Sequence, residues 1–181
     1  SLIQESAFQV VSIATTTGFL TANYSNWPLF VPILLLFTAF IGACAGSTGG
    51  GIKVVRTLIL AKQSASEITK LIHPNAVISI KLGKKAVSPR VAESVWGFFS
   101  IYVIVFIFLF LFLLAQGNDF ITSFSAVGAT LNNLGPGLGE VSNNYQSLSD
   151  YSKLGLCMAM LLGRLEIFTL LVLFTPAFWK K

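Results

Sequence analysis

The sequence predicts an all-α integral membrane fold built of repeated helix–pore loop–helix units, and three observations carry that expectation. Charged residues make up 10% of the chain and hydrophobic residues 54%, against about 25% and about 45–50% in soluble domains. The charges are segregated: none lies between Ser6 and Ile52 or between Ser94 and Asn118, and Leu154 to Trp179 carries only Arg164 and Glu166. One order of elements also occurs twice: a short apolar helix, a glycine-centred loop, then a longer apolar run. The composition excludes a disordered chain, which needs low hydrophobicity and high charge. It argues against a soluble enzyme domain, whose surface 12 basic and 7 acidic side chains would not cover.

A bilayer core about 30 Å thick takes ~20 apolar residues to cross as helix. Ser6 to Ala14 is apolar but too short. Gly18, Asn23, Asn26 and Pro28 interrupt the next stretch, and Trp27-Pro28 to about Ala45 is long enough for a span. Residues 1–62 therefore read as a pore helix, a filter loop and a second helix broken by the glycine run at 46–51. Residues 63–90 read as a basic linker, in which Ile78 to Val87 alternates around Gly83-Lys84 and allows a small hairpin. Residues 91–181 read as the next repeat: a span over 94–116, a pore helix over 119–131, a filter loop over 132–139 and a last span over 154–179.

Placing Gly18 over Gly135, an offset of 117, aligns the halves. Ser6 then meets Ser123, Val10 meets Val127, and Thr15-Thr16-Thr17 meets Asn132-Asn133-Leu134. Farther on, Gly42 meets Gly163 at an offset of 121. Identities are few; the shared order of elements is the stronger signal.

Lys and Arg set the orientation. Segment 53–90 holds eight of them and one acid, Glu67, for a net charge of +7, whereas 119–153 has a net charge of −2. Residues 53–90 and the C-terminal Lys180-Lys181 are expected in the cytoplasm, with both glycine-centred loops opening outward. The high basicity is then a topology signal, and no nucleic acid is implied. Trp27, Trp96 and Trp179 fall at expected span ends, where interfacial aromatics belong. Cys44 and Cys157 read as small hydrophobes. His73 stands alone beside Pro74, without a second metal ligand nearby.

A loop that re-enters the bilayer must line a water-filled cavity, because lipid cannot satisfy its backbone. A short helix entering from outside directs its negative C-terminal end inward, which favours a cation. Glycine at the loop centre permits a backbone that turns carbonyls toward an axis, and rings of such carbonyls replace an ion's water shell. Thr16, Thr17, Gly18 and Phe19, with Asn133, Leu134, Gly135 and Pro136, are the candidate filter residues. A pair of ordinary turns beside core helices is the plain alternative.

The run Gly46-Ser47-Thr48-Gly49-Gly50-Gly51 is not a phosphate loop, since Ile52 and Val54 stand where Lys and Ser/Thr are required. Three glycines would break a membrane helix, and such breaks mark ion pathways or gates. Arg164, inside the last apolar run, costs about 2.5–3.5 kcal/mol at a bilayer centre by insertion scales. It is expected to face protein or a pore, either as a barrier to a cation or as a structural ion pair. Membrane-embedded catalysis would need clustered ionisable residues in the spans, and the sequence has none; the chain does not read as an enzyme.

Thr-Thr-Thr-Gly-Phe at 15–19, Gly-Ser-Thr-Gly-Gly-Gly-Ile-Lys at 46–53 and Gly-Arg-Leu-Glu at 163–166 resemble the Trk/Ktr/HKT potassium transporter superfamily. His73-Pro74-Asn75-Ala76-Val77, Asn132 to Gly137 and Phe174-Thr175-Pro176 resemble its bacterial potassium-uptake membrane subunits, over the whole chain. The resemblance implies a potassium-channel-like pore of four repeats, of which this chain matches the third and fourth. Gly18 and Gly135 would be filter glycines, and potassium would bind backbone oxygens of Thr16, Thr17, Gly18, Asn133, Leu134 and Gly135, with sodium as a second permeant ion and no organic cofactor. Gly46, Ser47, Thr48, Gly49, Gly50 and Gly51 would form an intramembrane gate with Arg164. The implied partners are membrane lipid, the missing N-terminal repeats, a second copy as homodimer, and a cytoplasmic nucleotide-binding ring subunit (TrkA-like). The implied location is the bacterial inner membrane. The fourth filter departs from Thr-Thr-Gly, with Asn133-Leu134 before its glycine. A non-conducting regulatory or scaffold subunit is the alternative function.

Overall fold

A computed structural model describes residues 2–22, 24, 27–28, 30–42, 44, 49–76, 78–83, 85–165, 167, 169, 172 and 176–179. Its helices are α1 (Leu2–Ala14), α2 (Phe30–Ile41), α3 (Val54–Ile72), α4 (Pro89–Ala115), α5 (Phe120–Leu131) and α6 (Asp150–Arg164), with a short helix at Pro176–Trp179. Two short strands, β1 (Lys81–Leu82) and β2 (Lys85–Ala86), pair antiparallel with Lys81 opposite Ala86. This is the hairpin that the alternation around Gly83 allows, and Gly83 supplies its left-handed turn at φ +61°.

Among the described residues, α4 is the one helix long and apolar enough to cross a membrane. Its 27 residues extend about 40 Å at 1.5 Å per residue. Pro89 opens it at the first turn, where no amide hydrogen is missed. One stripe, Ala92, Val95, Phe98, Tyr102, Leu109 and Leu113, is buried. The opposite face exposes Ile104, Phe108 and Leu111, so the helix is apolar all round, as a lipid-facing span must be.

The hub is α5. Asp119 caps it by accepting from the Ile121 amide, and Thr122–Ser123 and Ser125–Leu131 are buried. Small residues make that burial feasible: a Cβ on Gly128 would sit 3.1 Å from the Phe40 ring of α2. Phe40 and Phe124 pack edge-to-face with Phe106 of α4, joining the first half of the chain to the second. On the charged side, α3 lays Ile59 against Ala92 and Val95 of α4, and Ile80, Leu82 and Val87 around the hairpin close over them. One helix thus runs through residue 62, where the sequence reading divides repeat from linker.

Two expected spans stop short. α2 ends at Ile41 because Gly42 turns left-handed at φ +72°. The chain then doubles back, and the Ile52 amide donates to the Phe40 carbonyl at 2.9 Å. The last apolar run is interrupted at Leu165. Here the Asn133 side chain, with its amide oriented to satisfy both ends, donates to the Met160 carbonyl (3.3 Å) and accepts from the Arg164 amide (3.1 Å). These contacts tie the last turn of α6 to the second loop, next to the break. Ile167, Thr169 and Val172 are helical again.

Candidate ion-filter and gate site

The two glycine-centred loops have the same backbone. Thr16 (φ +54°) and Gly18 (φ +81°) are left-handed in one, and Asn133 (φ +53°) and Gly135 (φ +100°) in the other. In the first loop the amides of Thr16, Thr17 and Gly18 donate back to Ile13, Ser12 and Ser12. In the second, the amides of Asn133, Leu134 and Gly135 donate back to Thr130, Ala129 and Ala129. Every donor and acceptor is shifted by the 117 residues found in the sequence. Alternating handedness turns successive amides to one side, as in backbone nests. No donor among the described residues reaches the carbonyls of Thr16, Thr17, Gly18, Asn133 and Leu134.

The loops also touch. A Cβ on Gly18 would lie 2.0 Å from the Leu134 carbonyl oxygen and 3.3 Å from Pro136. Only glycine lets the two backbones approach this closely. The Leu134 side chain points away from that contact into a core cluster with Ile13 and Leu138. The departure from Thr at this position therefore places an apolar side chain inside and leaves the backbone path unchanged. Phe19 is 72% exposed, and its carbonyl accepts from Ser12 Oγ at 2.7 Å.

Hydrogen bonds brace the loops from outside. Tyr24, beyond the first loop, donates to the Gly137 carbonyl of the second at 3.0 Å. Tyr145 donates to the Gly135 carbonyl, and Tyr102 of α4 donates to Asn132 Oδ1 at 2.7 Å. Sequence reasoning passed over these tyrosines: Tyr24 and Tyr145 bond to backbone carbonyls, which give no partner residue type to search for, and Tyr102 bonds to a side chain 30 residues away. Burial pushes the Tyr24 hydroxyl up from 10.0 to about 12. A folded value above the unfolded one means its contribution is complete below pH ~10 and is lost as pH rises toward about 12. Melting temperature in detergent should stay level between pH 7 and about 9.5 and fall above ~10. Y24F should melt lower at neutral pH and show a shallower alkaline fall.

Beneath the loops lies the glycine run. Of the six expected gate glycines and hydroxyl residues, Gly46, Ser47 and Thr48 lie outside the described residues; Gly49, Gly50 and Gly51 are placed. The Gly50 amide donates to Thr16 Oγ1 at 3.0 Å, and a Cβ on Gly50 would lie 1.8 Å from the Asn132 carbonyl oxygen. Gly50 thus wedges against both filter loops at once. Across the same space, a Cβ on Gly163 would lie 2.0 Å from the Leu131 carbonyl oxygen, which brings α6 hard against the end of α5.

Gly49, Gly50 and Gly51 share a cavity of about 200 Å³ with Arg164, Lys53 and Arg56. Arg164 sits in the last turn of α6, where the negative end of the helix favours a cation. Arg56 lies 4.3 Å over the Phe98 ring. The family resemblance paired Arg164 with the glycine run, but Lys53 and Arg56 were counted only among the basic charges of 53–90. Glu166 lies outside the described residues. Among the described residues no cluster of three His, Cys, Asp or Glu could hold a metal.

Comparison with known proteins supports the helical fold and shows the family. The family described as TrkH, cation transport protein, matches residues 2–181. The chain is 58% identical over 179 residues to the Trk system potassium uptake protein TrkH of Escherichia coli K12, covering 99% of this chain and 37% of that protein. It is 45% identical over 176 residues to the Trk system potassium uptake protein TrkG of the same organism, covering 97% of this chain and 36% of that one. The crystal structure of the potassium transporter TrkH from Vibrio parahaemolyticus superposes with a TM-score of 0.89 at 56% identity, over 97% of this chain and 38% of that one. The chain therefore spans a little over a third of the length of these relatives, all of them transport proteins and none an enzyme. With its loops and glycine run in place and its match running from residue 2 to the end, the chain belongs to the TrkH family of cation transport proteins.

Proposed function

We propose that the two loops are two quarters of a potassium selectivity filter in a bacterial inner-membrane uptake protein, and that the glycine run and Arg164 are its gate. The observation that carries this reading is the repeated backbone: equivalent donors turned back onto two short helices, with the carbonyls of Thr16–Gly18 and Asn133–Leu134 reached by no donor among the described residues. Carbonyl oxygens so arranged can replace the hydration shell of a monovalent cation. The relatives named as potassium uptake proteins supply the ion, with sodium as a second permeant ion. The remaining quarters lie in the part of the relatives that this chain does not span.

The gate reading draws on Gly50, which contacts both loops, and on the three cationic side chains around the cavity below them. A cytoplasmic nucleotide-binding ring subunit would act on this region from the basic side, in a homodimeric assembly. The test is rubidium uptake into liposomes containing the full-length protein. Uptake that potassium competes away at lower concentration than sodium supports the reading. Uptake no faster than in empty liposomes, in well-folded protein, points to a non-conducting regulatory subunit.

A further inference from the structure

The two loops share one backbone, yet their glycine carbonyls have different surroundings. Among the described residues nothing donates to the Gly18 carbonyl, whereas the Gly135 carbonyl accepts from the Tyr145 hydroxyl. At the offset of 121 that relates Gly42 to Gly163, the counterpart of Tyr145 is Tyr24. The other loop tyrosine, Tyr24, crosses over and bonds to Gly137, so both tyrosines serve the second loop.

Tyr145 is well held for such a role. Its ring packs against the buried cluster of Val141, Leu148 and Leu156, so the hydroxyl is aimed by packing. Gly135 itself is held by little else: a Cβ there would meet nothing within 4 Å. An apolar cavity of about 300 Å³ lies on this side of the loop, bordered by Gly135, Asn133, Tyr145 and Met160. A carbonyl at the edge of a cavity, on a left-handed glycine, can swing unless something restrains it.

We infer that Tyr145 is a positioning residue for ion selection, fixing the Gly135 carbonyl so that the second loop cannot close around a smaller ion. The inference rests on the filter reading above. A restrained carbonyl keeps the spacing suited to potassium, whereas a released one can follow sodium inward at small cost. The hydroxyl makes one net hydrogen bond, so its loss should lower the potassium-to-sodium permeability ratio about three- to tenfold.

The experiment measures that ratio for Y145F and G18S in liposomes of the full-length protein. The phenyl ring fills the same volume, and a ratio taken within one preparation is insensitive to the fraction of folded protein. A fall in the ratio for both variants supports the inference. A fall for G18S with an unchanged ratio for Y145F overturns the role of Tyr145 and leaves the filter reading standing. An unchanged ratio for G18S overturns the filter reading, and the inference with it.

Discussion

Replacing Gly18 with serine should collapse potassium-to-sodium discrimination by at least about tenfold, and should do more damage than the same change at Gly135. Both positions are left-handed, at φ +81° and +100°, and a side chain there costs about 1–2 kcal/mol. Only Gly18 adds a collision, because its new Cβ would fall 2.0 Å from the Leu134 carbonyl oxygen. One substitution in the first loop must therefore displace the carbonyl path of the second. At Gly135 the new atom meets nothing among the described residues within 4 Å, so only the backbone strain remains. A strain of about 1.4 kcal/mol corresponds to about tenfold if all of it falls on one ion; the collision makes Gly18 the larger effect. Ion-competition flux in liposomes of the full-length protein measures both. Equal effects, or a larger one at Gly135, would mean that the loops are not in contact in the working protein.

Removing the Arg164 charge should raise basal conductance about fivefold or more. A unit charge about 6 Å from a cation's path opposes it by about 3 kcal/mol at an effective dielectric of about 20, less after screening. Arg164 faces the same cavity as Gly49–Gly51, so the charge is placed where a cation leaving the filter would meet it. R164A keeps the contact of the Asn133 side chain, which is made to the Arg164 backbone amide. Lys53 and Arg56 border the cavity too, so the variant should leak without opening fully. Rubidium leak without the cytoplasmic subunit measures it. Equal or lower leak in well-folded R164A would assign the arginine a structural role.

Long-period features were legible in the sequence; short contacts between distant residues were not. Charge-free stretches located α4, and an offset of 117 located two loops whose hydrogen bonds follow that same offset. The two left-handed loop glycines, Gly18 and Gly135, could be named from residue type and order, whereas the grouping of Gly49–Gly51 with Arg164 came from the family resemblance. The break at Leu165 could not, since a leucine in an apolar run carries no stop signal. Nor could the contact beside it, where Asn133 of a different element reaches the Met160 and Arg164 backbone groups. The bracing tyrosines were hidden for a similar reason, as each one's value depends on a loop carbonyl or amide brought near by folding. Lys53 and Arg56 were counted as topology charges, and their place beside the glycine run depends on a fold that brings Ile52 back to Phe40.

The central claim is that carbonyls of the two loops are cation ligands. It is tested most directly by locating rubidium, through its anomalous scattering, in crystals of the full-length protein. The account predicts rubidium density on the axis beside the carbonyls of Thr16, Thr17, Gly18, Asn133 and Leu134. Ordered rubidium elsewhere in the protein, with none beside these carbonyls, would contradict it.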